Sequence, residues 1–324
     1  MPASTQILQP DAEGIARAAA LLRAGALVAI PTETVYGLAG DAANDHAVAA
    51  IFAAKDRPRF NPLIVHLADM AQVTEIARLS PLARALAAAF WPGPLTLVLR
   101  LKPGARVAPL VTAGLDTVAL RLPAHPVARA VLAAVGGGLA APSANPSGRI
   151  SPVSAAHVLA GLEGRIAGVV DGGDCAVGVE STILDATGAV PILLREGGLP
   201  VERIEEVLGL KVAARQDGAL LSAPGQLASH YAPRGAVRLE VARPEKDEVW
   251  LGFGKILSGS EGLNLSPSGD LTEAAARLFH LLHEADARAG AGGRIAVAPV
   301  PEVGLGRAIN DRLGRAAAPR EGPK

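Results

Sequence analysis

Two stretches early in the chain gather polar side chains where a buried strand would open into a loop. Residues 31–38 read Pro31-Thr32-Glu33-Thr34-Val35-Tyr36-Gly37-Leu38, and residues 55–67 read Lys55-Asp56-Arg57-Pro58-Arg59-Phe60-Asn61-Pro62-Leu63-Ile64-Val65-His66-Leu67. The apolar run Ala26 to Ile30 is a strand candidate, ended by Pro31, which cannot donate to a sheet ladder. Ligands of α/β proteins gather at such strand ends. Between the two stretches, Asn44 or Asp45 can cap a helix whose Val48, Ile51 and Phe52 share one face. Pro58 stops that helix near Arg57, because the residue before a proline avoids helical angles. Lys55 and Arg57 then project from a frayed helix end. Two cations, one carboxylate and several hydroxyls converge on one loop region, and that chemistry suits a polyphosphate.

The elements around these stretches follow from periodicity and capping. Asp11 caps a helix over Pro10 to Gly25, Ser80 opens one over Pro81 to Phe90, and His125 to Val135 is a third. Strands are expected at Leu63 to Leu67, Thr96 to Leu101, Val118 to Leu122, Val169 to Val170, Ser181 to Asp185 and Ile192 to Arg195. The run Leu139 to Pro152 is dense in small, hydroxyl and proline residues and reads as a rigid, irregular loop. Several strands lie too close in the chain for a crossover helix, so a mixed α/β sheet fits better than a parallel one. The pattern weakens over residues 211–235, which read as a linker. Beyond it, strands at Ala236 to Val241, Glu248 to Phe253 and Arg294 to Val300 alternate with helices at Leu271 to Arg288 and Gly306 to Ala317. The expected organisation is a catalytic domain over 1–210, a linker or lid over 211–235 and a small α/β domain over 236–324.

Composition narrows the function classes. With 324 residues, 50% of them hydrophobic and 3% aromatic, the chain can bury a large aliphatic core. Its 31 basic and 31 acidic residues balance, which argues against a chain-wide grip on nucleic acid. Cys175 is the single cysteine, so an internal disulfide is excluded. No basic stretch followed by an apolar run opens the sequence, and no apolar segment reaches about 18 residues; a soluble cytoplasmic protein is expected. Histidines show no HxxxH or HxH spacing, and no Gly-x-Ser-x-Gly elbow, P-loop or GxGxxG fingerprint occurs. Cys175 has no adjacent cation and reads as a small buried residue.

What remains is a set of polar residues at loop mouths: Thr34, Lys55, Arg57, Asn61, His66, Thr117, Arg121, Ser143, Asn145, Ser181 and Arg195. Taken alone, Lys55 and Arg57 fit a solvated helix end, His66 a hydrogen-bonded core histidine, and Ser143, Asn145 and Ser181 turn formers. Arg121, between Leu120 and Leu122, needs a carboxylate, a phosphate or an opening to solvent, and Arg195 repeats that situation.

Five motifs occur together and in order: Pro31 to Leu38, Lys55-x-Arg57-Pro58-x-x-Asn61-Pro62-Leu63, Trp91-Pro92-Gly93-Pro94-Leu95-Thr96, Pro142-Ser143-Ala144-Asn145-x-Ser147-Gly148 and Gly178-Val179-Glu180-Ser181-Thr182. In this set the chain resembles the threonylcarbamoyl-AMP synthases of the YrdC-like family. Pro224-Gly225 followed by His230-Tyr231-Ala232-Pro233 is similar to the longer, two-domain form. The resemblance implies a twisted mixed α/β sheet with a concave groove and a smaller C-terminal α/β domain. It implies an enzyme, a nucleotidyltransferase that condenses L-threonine, bicarbonate (or carbon dioxide) and ATP into threonylcarbamoyl-adenylate with release of pyrophosphate. Mg2+ would accompany ATP, with its ligands unknown. The product would pass to a separate tRNA threonylcarbamoyl-transferase acting on the adenosine beside the anticodon, which leaves direct contact with tRNA open; no membrane is implied.

By the same resemblance, Lys55, Arg57, Asn61, Thr117, Ser143, Ser151, Arg195 and Tyr231 fall at ATP-side positions, with Lys55 and Arg57 the catalytic candidates. Thr34, His66, Arg121, Ala141 and Ser181 fall at threonine-side positions, with Arg121 the choice for the carboxylate. The tail departs from the family's pattern: where Ser-Pro-Gly-Met and then basic residues commonly precede His-Tyr-Ala-Pro, this chain has Ala223-Pro224-Gly225-Gln226 and then Leu227, Ala228 and Ser229, which puts in doubt any linker contact that needs a basic side chain there. Two other classes compete. An RNA-binding module is disfavoured by the balanced charge and the lack of clustered aromatics. A carbamoyl-transfer domain of a hydrogenase-maturation protein would carry cysteine-rich motifs that this sequence lacks.

Overall fold

The computed structural model describes residues 4–58, 60–215, 224, 230–255 and 262–319. Most of the expected linker, residues 216–223 and 225–229, lies outside the described residues, as does the departure at Gln226 to Ser229.

The first unit is built on a 12-stranded sheet whose path runs Gln6–Leu8, Gly168–Val170, Val28–Ile30, Gly37–Asp41, Leu139–Ala140, Ile64–His66, Thr117–Arg121, Leu95–Leu101, Thr182–Asp185, Ile192–Arg195 and Ala213–Ala214, with Ala77–Arg78 paired to Leu95–Leu101. Parallel and antiparallel neighbours alternate irregularly, so the sheet is mixed, as expected. Helices start where the sequence offers caps: the Asp11, Asn44 and Ser80 side chains accept from backbone N–H groups of Ala12–Arg23, Asp45–Lys55 and Pro81–Phe90. Asp56, in the left-handed region at φ 52°, ends the second of these two residues before Pro58.

Gly37–Asp41, not read as a strand from sequence, is a central strand. Its Gly37, Leu38, Ala39 and Gly40 are all buried, so the alternation that marks a half-exposed strand is missing. A Cβ at Gly40 would meet Ile51 Cδ1 and Leu27 Cδ2 at 3.1 Å each, which explains the small residues. The helix Ala155–Leu162, capped by Ser154, was also unread, because it follows directly on the irregular loop.

The second unit is a four-stranded parallel sheet, Ala236–Arg238, Arg294–Val297, Glu248–Gly252 and Leu263–Asn264, with helices Leu271–Ala289 and Leu305–Ala317. Leu278, Leu281 and Leu282 are buried together, as their spacing predicts. One hydrophobic cluster runs from Val179 and Val158 in the first unit to Leu278, Phe279 and Leu313 in the second, so the two share a core. No helix among the described residues is long and apolar enough to cross a membrane.

Candidate active site

Neighbouring strand ends assemble the first half of the site. His66 and Arg121 end adjacent parallel strands and stand in register, while Thr32, Glu33 and Thr34 follow the strand Val28–Ile30. The charge that Arg121 brings into the core is met by Glu33: Nη2 donates to Oε1 at 2.7 Å. Nη1 donates to Thr34 Oγ1 at 2.9 Å and Nε to the Gly93 carbonyl at 3.2 Å. Three of the five guanidinium N–H groups are thereby engaged and two remain. Glu33 also accepts from the backbone of Ala124 and His125 at 3.0 and 3.3 Å. Burial works to raise its carboxyl, but Arg121 and these donors hold it below the usual range. His66 is fully enclosed, and burial together with Arg121 pushes its imidazole down to about 3. Its Nδ1 has no hydrogen-bond partner, so this is not the satisfied core histidine that the strand position alone suggests.

The second half is a cluster of buried cations. Lys55 and Arg57 are 1% and 8% exposed, not solvated at a frayed helix end. The Lys55 ammonium donates to the Ser143 and Asn145 carbonyls, and the loop at 142–147 closes over it. Arg57 donates from Nη2 to the Pro62 carbonyl at 3.0 Å and from Nε to the Asn61 carbonyl at 3.4 Å. Arg195, ending the strand Ile192–Arg195, donates to the Ser181 carbonyl at 2.8 and 3.1 Å and to its hydroxyl at 3.1 Å. Burial and the Arg57 charge hold Lys55 well below its ordinary value; burial and Arg195 bring Arg57 down to about 10. Such depression reflects first the loss of hydration on burial and second the repulsion between neighbouring cations.

Both halves face one cavity of about 50 Å³. Of the expected site residues, Thr34, Arg57, His66, Arg121, Ala141, Ser143, Ser181, Arg195 and Tyr231 line it. Lys55 lies behind Ser143, and Ser151 lies behind Glu180, to whose Oε1 its hydroxyl donates at 2.5 Å. Asn61 is buried beside Arg57 but does not line the cavity. Thr117 is not brought to it: it begins the strand that Arg121 ends, about 13 Å away at ~3.3 Å per residue.

Three side chains were not singled out from sequence. Glu180 lines the cavity; burial works to raise its carboxyl, but Arg312, Arg195 and Ser151 hold it at about 2. It precedes Ser181 and Thr182 outside any strand, so the argument that singles out Arg121 between two leucines does not reach it; its only sequence signal is its place in the motif Gly178 to Thr182. His230 lines the cavity beside Tyr231, with ring centroids 4.1 Å apart. Arg312 reaches Glu180 from the second unit, Nε to Oε2 at 2.9 Å. Tyr36, by contrast, belongs to the core. Its hydroxyl donates to the Gly173 carbonyl at 2.7 Å and accepts from Gly172 N–H at 3.2 Å, away from the cavity. Cys175 is buried, and burial pushes its thiol up to about 12, far from a nucleophile's range.

Counting charges decides what the site wants. Lys55, Arg57, Arg121, Arg195 and Arg312 are buried against two buried carboxylates, Glu33 and Glu180. That surplus of positive charge calls for an anionic ligand. Among the described residues, no group of three or more His, Cys, Asp or Glu side chains could cage a metal ion.

Comparison with known proteins agrees with this chemistry. A family model described as "Telomere recombination" matches residues 20–197, and one described as "Threonylcarbamoyl-AMP synthase, C-terminal domain" matches residues 199–318. The chain is 48% identical over 247 residues to the threonylcarbamoyl-AMP synthase of Bacillus subtilis, covering 75% of this chain and 71% of that protein. It is 43% identical over 323 residues to that of Pyrococcus abyssi, covering 94% of each. The crystal structure of P. abyssi Sua5 complexed with L-threonine superposes with a TM-score of 0.87 at 38% identity, covering 97% of this chain and 98% of that one. The chain therefore belongs to the threonylcarbamoyl-AMP synthase family.

Proposed function

We propose that the protein is an L-threonylcarbamoyladenylate synthase, and that the observation carrying this is the surplus of buried cations beside the Arg121–Thr34–His66 cluster. The amine of threonine takes up carbon from bicarbonate with loss of water, giving a carbamate. A carbamate oxygen then attacks the α-phosphorus of ATP, the bond to the β-phosphate breaks, and pyrophosphate leaves. Both reactants are anions, so preplaced cations lower the barrier by offsetting their repulsion and the charge on the leaving group. Arg57 and Arg195, with Lys55 behind them, serve the phosphates. Arg121 has two N–H groups left for the threonine carboxylate, and Thr34 and Ser181 offer hydroxyls for the threonine side chain. Mg2+ would accompany ATP as its counter-ion and help to offset the charge on the leaving pyrophosphate. The product is consumed by a separate enzyme that modifies tRNA.

Tyr231, His230 and Pro224 line the cavity from far along the chain, well beyond the strands that His66 and Arg121 end. These three residues serve as a lid that keeps water from a mixed anhydride that hydrolyses easily. The direct test is pyrophosphate release from ATP with bicarbonate and threonine supplied together and singly. Release that requires both supports the proposal, and release indifferent to threonine overturns it.

A further inference from the structure

The helix Leu305–Ala317 of the second unit buries Ala308, Ile309, Leu313 and Ala316. Arg312 stands on the same face, three residues after Ile309 and four before Ala316, and is 0% exposed. A charge there is not needed for stability, since an apolar side chain of similar volume would serve as well or better. Its guanidinium instead reaches across the two units. Nε donates to Glu180 Oε2 at 2.9 Å, opposite the Ser151 hydroxyl on Oε1, and Nη1 donates to Asp311 at 2.7 Å. It also lies 5.4 Å from the centroid of the Tyr231 ring, within cation–π range. Tyr231 holds φ at 61°, a region that bulky residues rarely occupy, so its conformation must be fixed by its surroundings. Nη2 of Arg312 is buried without a hydrogen-bond partner, a cost that a residue kept only for packing would shed. The units are docked closely here: a Cβ at Gly178 would come within 2.3 Å of the Ala275 carbonyl oxygen.

We propose that Arg312 is a positioning residue through which the C-terminal unit completes the catalytic pocket. It commits Glu180 to Ser151, braces the Tyr231 ring, and thereby leaves Arg195 facing the nucleotide. The other cation whose charge Glu180 feels is Arg195, so a Glu180 released from Arg312 would compete with the substrate phosphates for it.

This rests on the ATP site proposed above, and the test separates the two. ATP binding is measured by calorimetry on the full chain, alongside steady-state KM and kcat, for wild type, Arg312→Met and the charge-balanced pair Glu180→Gln/Arg312→Met. The pair removes the uncompensated carboxylate, so it keeps the comparison valid if Arg312→Met folds poorly. At a temperature where circular dichroism shows both variants folded, Arg312→Met is expected to raise KM for ATP by roughly tenfold to a hundredfold, the scale of a displaced site. The pair, which loses the brace on Tyr231 but has no freed carboxylate to compete for Arg195, is expected to raise it by less. KM for threonine is expected to stay within about twofold, because Arg121, Thr34 and His66 are untouched. A wild type that binds ATP and variants that bind it equally well overturn the role of Arg312 alone. So does a fall in kcat that only tracks the folded fraction, with neither KM moved. A wild type that binds no ATP overturns the site itself, and this role with it.

Discussion

The carboxylate of Glu33 lies 2.7 Å from the guanidinium of Arg121, and both are buried. The pair helps to set the orientation of Arg121: with Glu33, Thr34 and Gly93 each taking one N–H, two remain for a ligand in the cavity that Arg121 lines. Breaking a buried pair by removing one partner leaves the other charge uncompensated. Glu33→Ala is expected to cost about 3 kcal/mol of stability and to raise KM for threonine more than KM for ATP. Thermal unfolding and steady-state kinetics check this, and equal effects on both substrates would detach Arg121 from the threonine side.

Arg57 presents the opposite balance. It is buried beside Arg195, whose charge disfavours it, and its hydrogen bonds go to the Asn61 and Pro62 carbonyls. Arg57→Ala is expected to reduce adenylate formation by roughly a hundredfold, as for a lost transition-state donor. Stability without ATP is expected to change by no more than about 1 kcal/mol, because relief of repulsion offsets the lost hydrogen bonds. A variant that melts early yet keeps its turnover reassigns the residue to structure.

Why some of this was legible in sequence and some was not has physical causes. Asp11, Asn44 and Ser80 announce their helices because a cap is a local interaction. Arg121 and Arg195 announce themselves because a charge in an apolar strand is costly wherever the strand lies. The burial of Lys55 was not legible, since the groups that enclose it belong to Ser143 and Asn145, 88 and 90 residues away. Arg312 and Glu180 are separated by 132 residues and belong to different units, and neither local pattern points to the other. Gly37–Asp41 escaped for another reason: a strand of small residues buried on both faces has no alternation to read.

Stability is expected to fall with acid earlier than carboxylates alone would cause. Burial, foremost, pushes His66, His157 and His230 down to about 3 and His283 to about 4. Unfolded, each returns to about 6.5. The unfolded state therefore binds more protons below roughly pH 6.5, and stability is lost as pH falls from there toward roughly 3. Glu180, held at about 2 against an ordinary 4.5, adds a loss that begins near 4.5. Thermal unfolding followed at pH 7, 6 and 5 should show a declining Tm; a flat Tm across that range contradicts the buried, neutral histidines.

The lid is tested at Tyr231, in the full chain. A cut after Gly209 would remove the edge strand Ala213–Ala214 and strand Glu180 without Arg312, so truncation alone would mix two effects. Tyr231→Ala is expected to weaken ATP binding and to speed loss of the adenylate to water, while Tyr231→Phe, which keeps the ring against Phe279 at 5.4 Å, retains the product. Product lifetimes followed by quenched sampling distinguish the two. If the Ala variant retains its product as wild type does, the segment is a connector and not a lid.

The central claim is that this pocket joins threonine, bicarbonate and ATP, and mass spectrometry of the product tests it most directly. The purified chain is incubated with ATP, labelled bicarbonate and, in turn, threonine, serine and valine. A site that hydrogen-bonds the substrate hydroxyl can reject an analogue lacking it by up to roughly 10⁴-fold. The expected result is a labelled threonylcarbamoyl-adenylate with threonine, a weak signal with serine and nearly none with valine. Equal products from threonine and valine, or no carbamoyl-adenylate with any of them, would contradict the account.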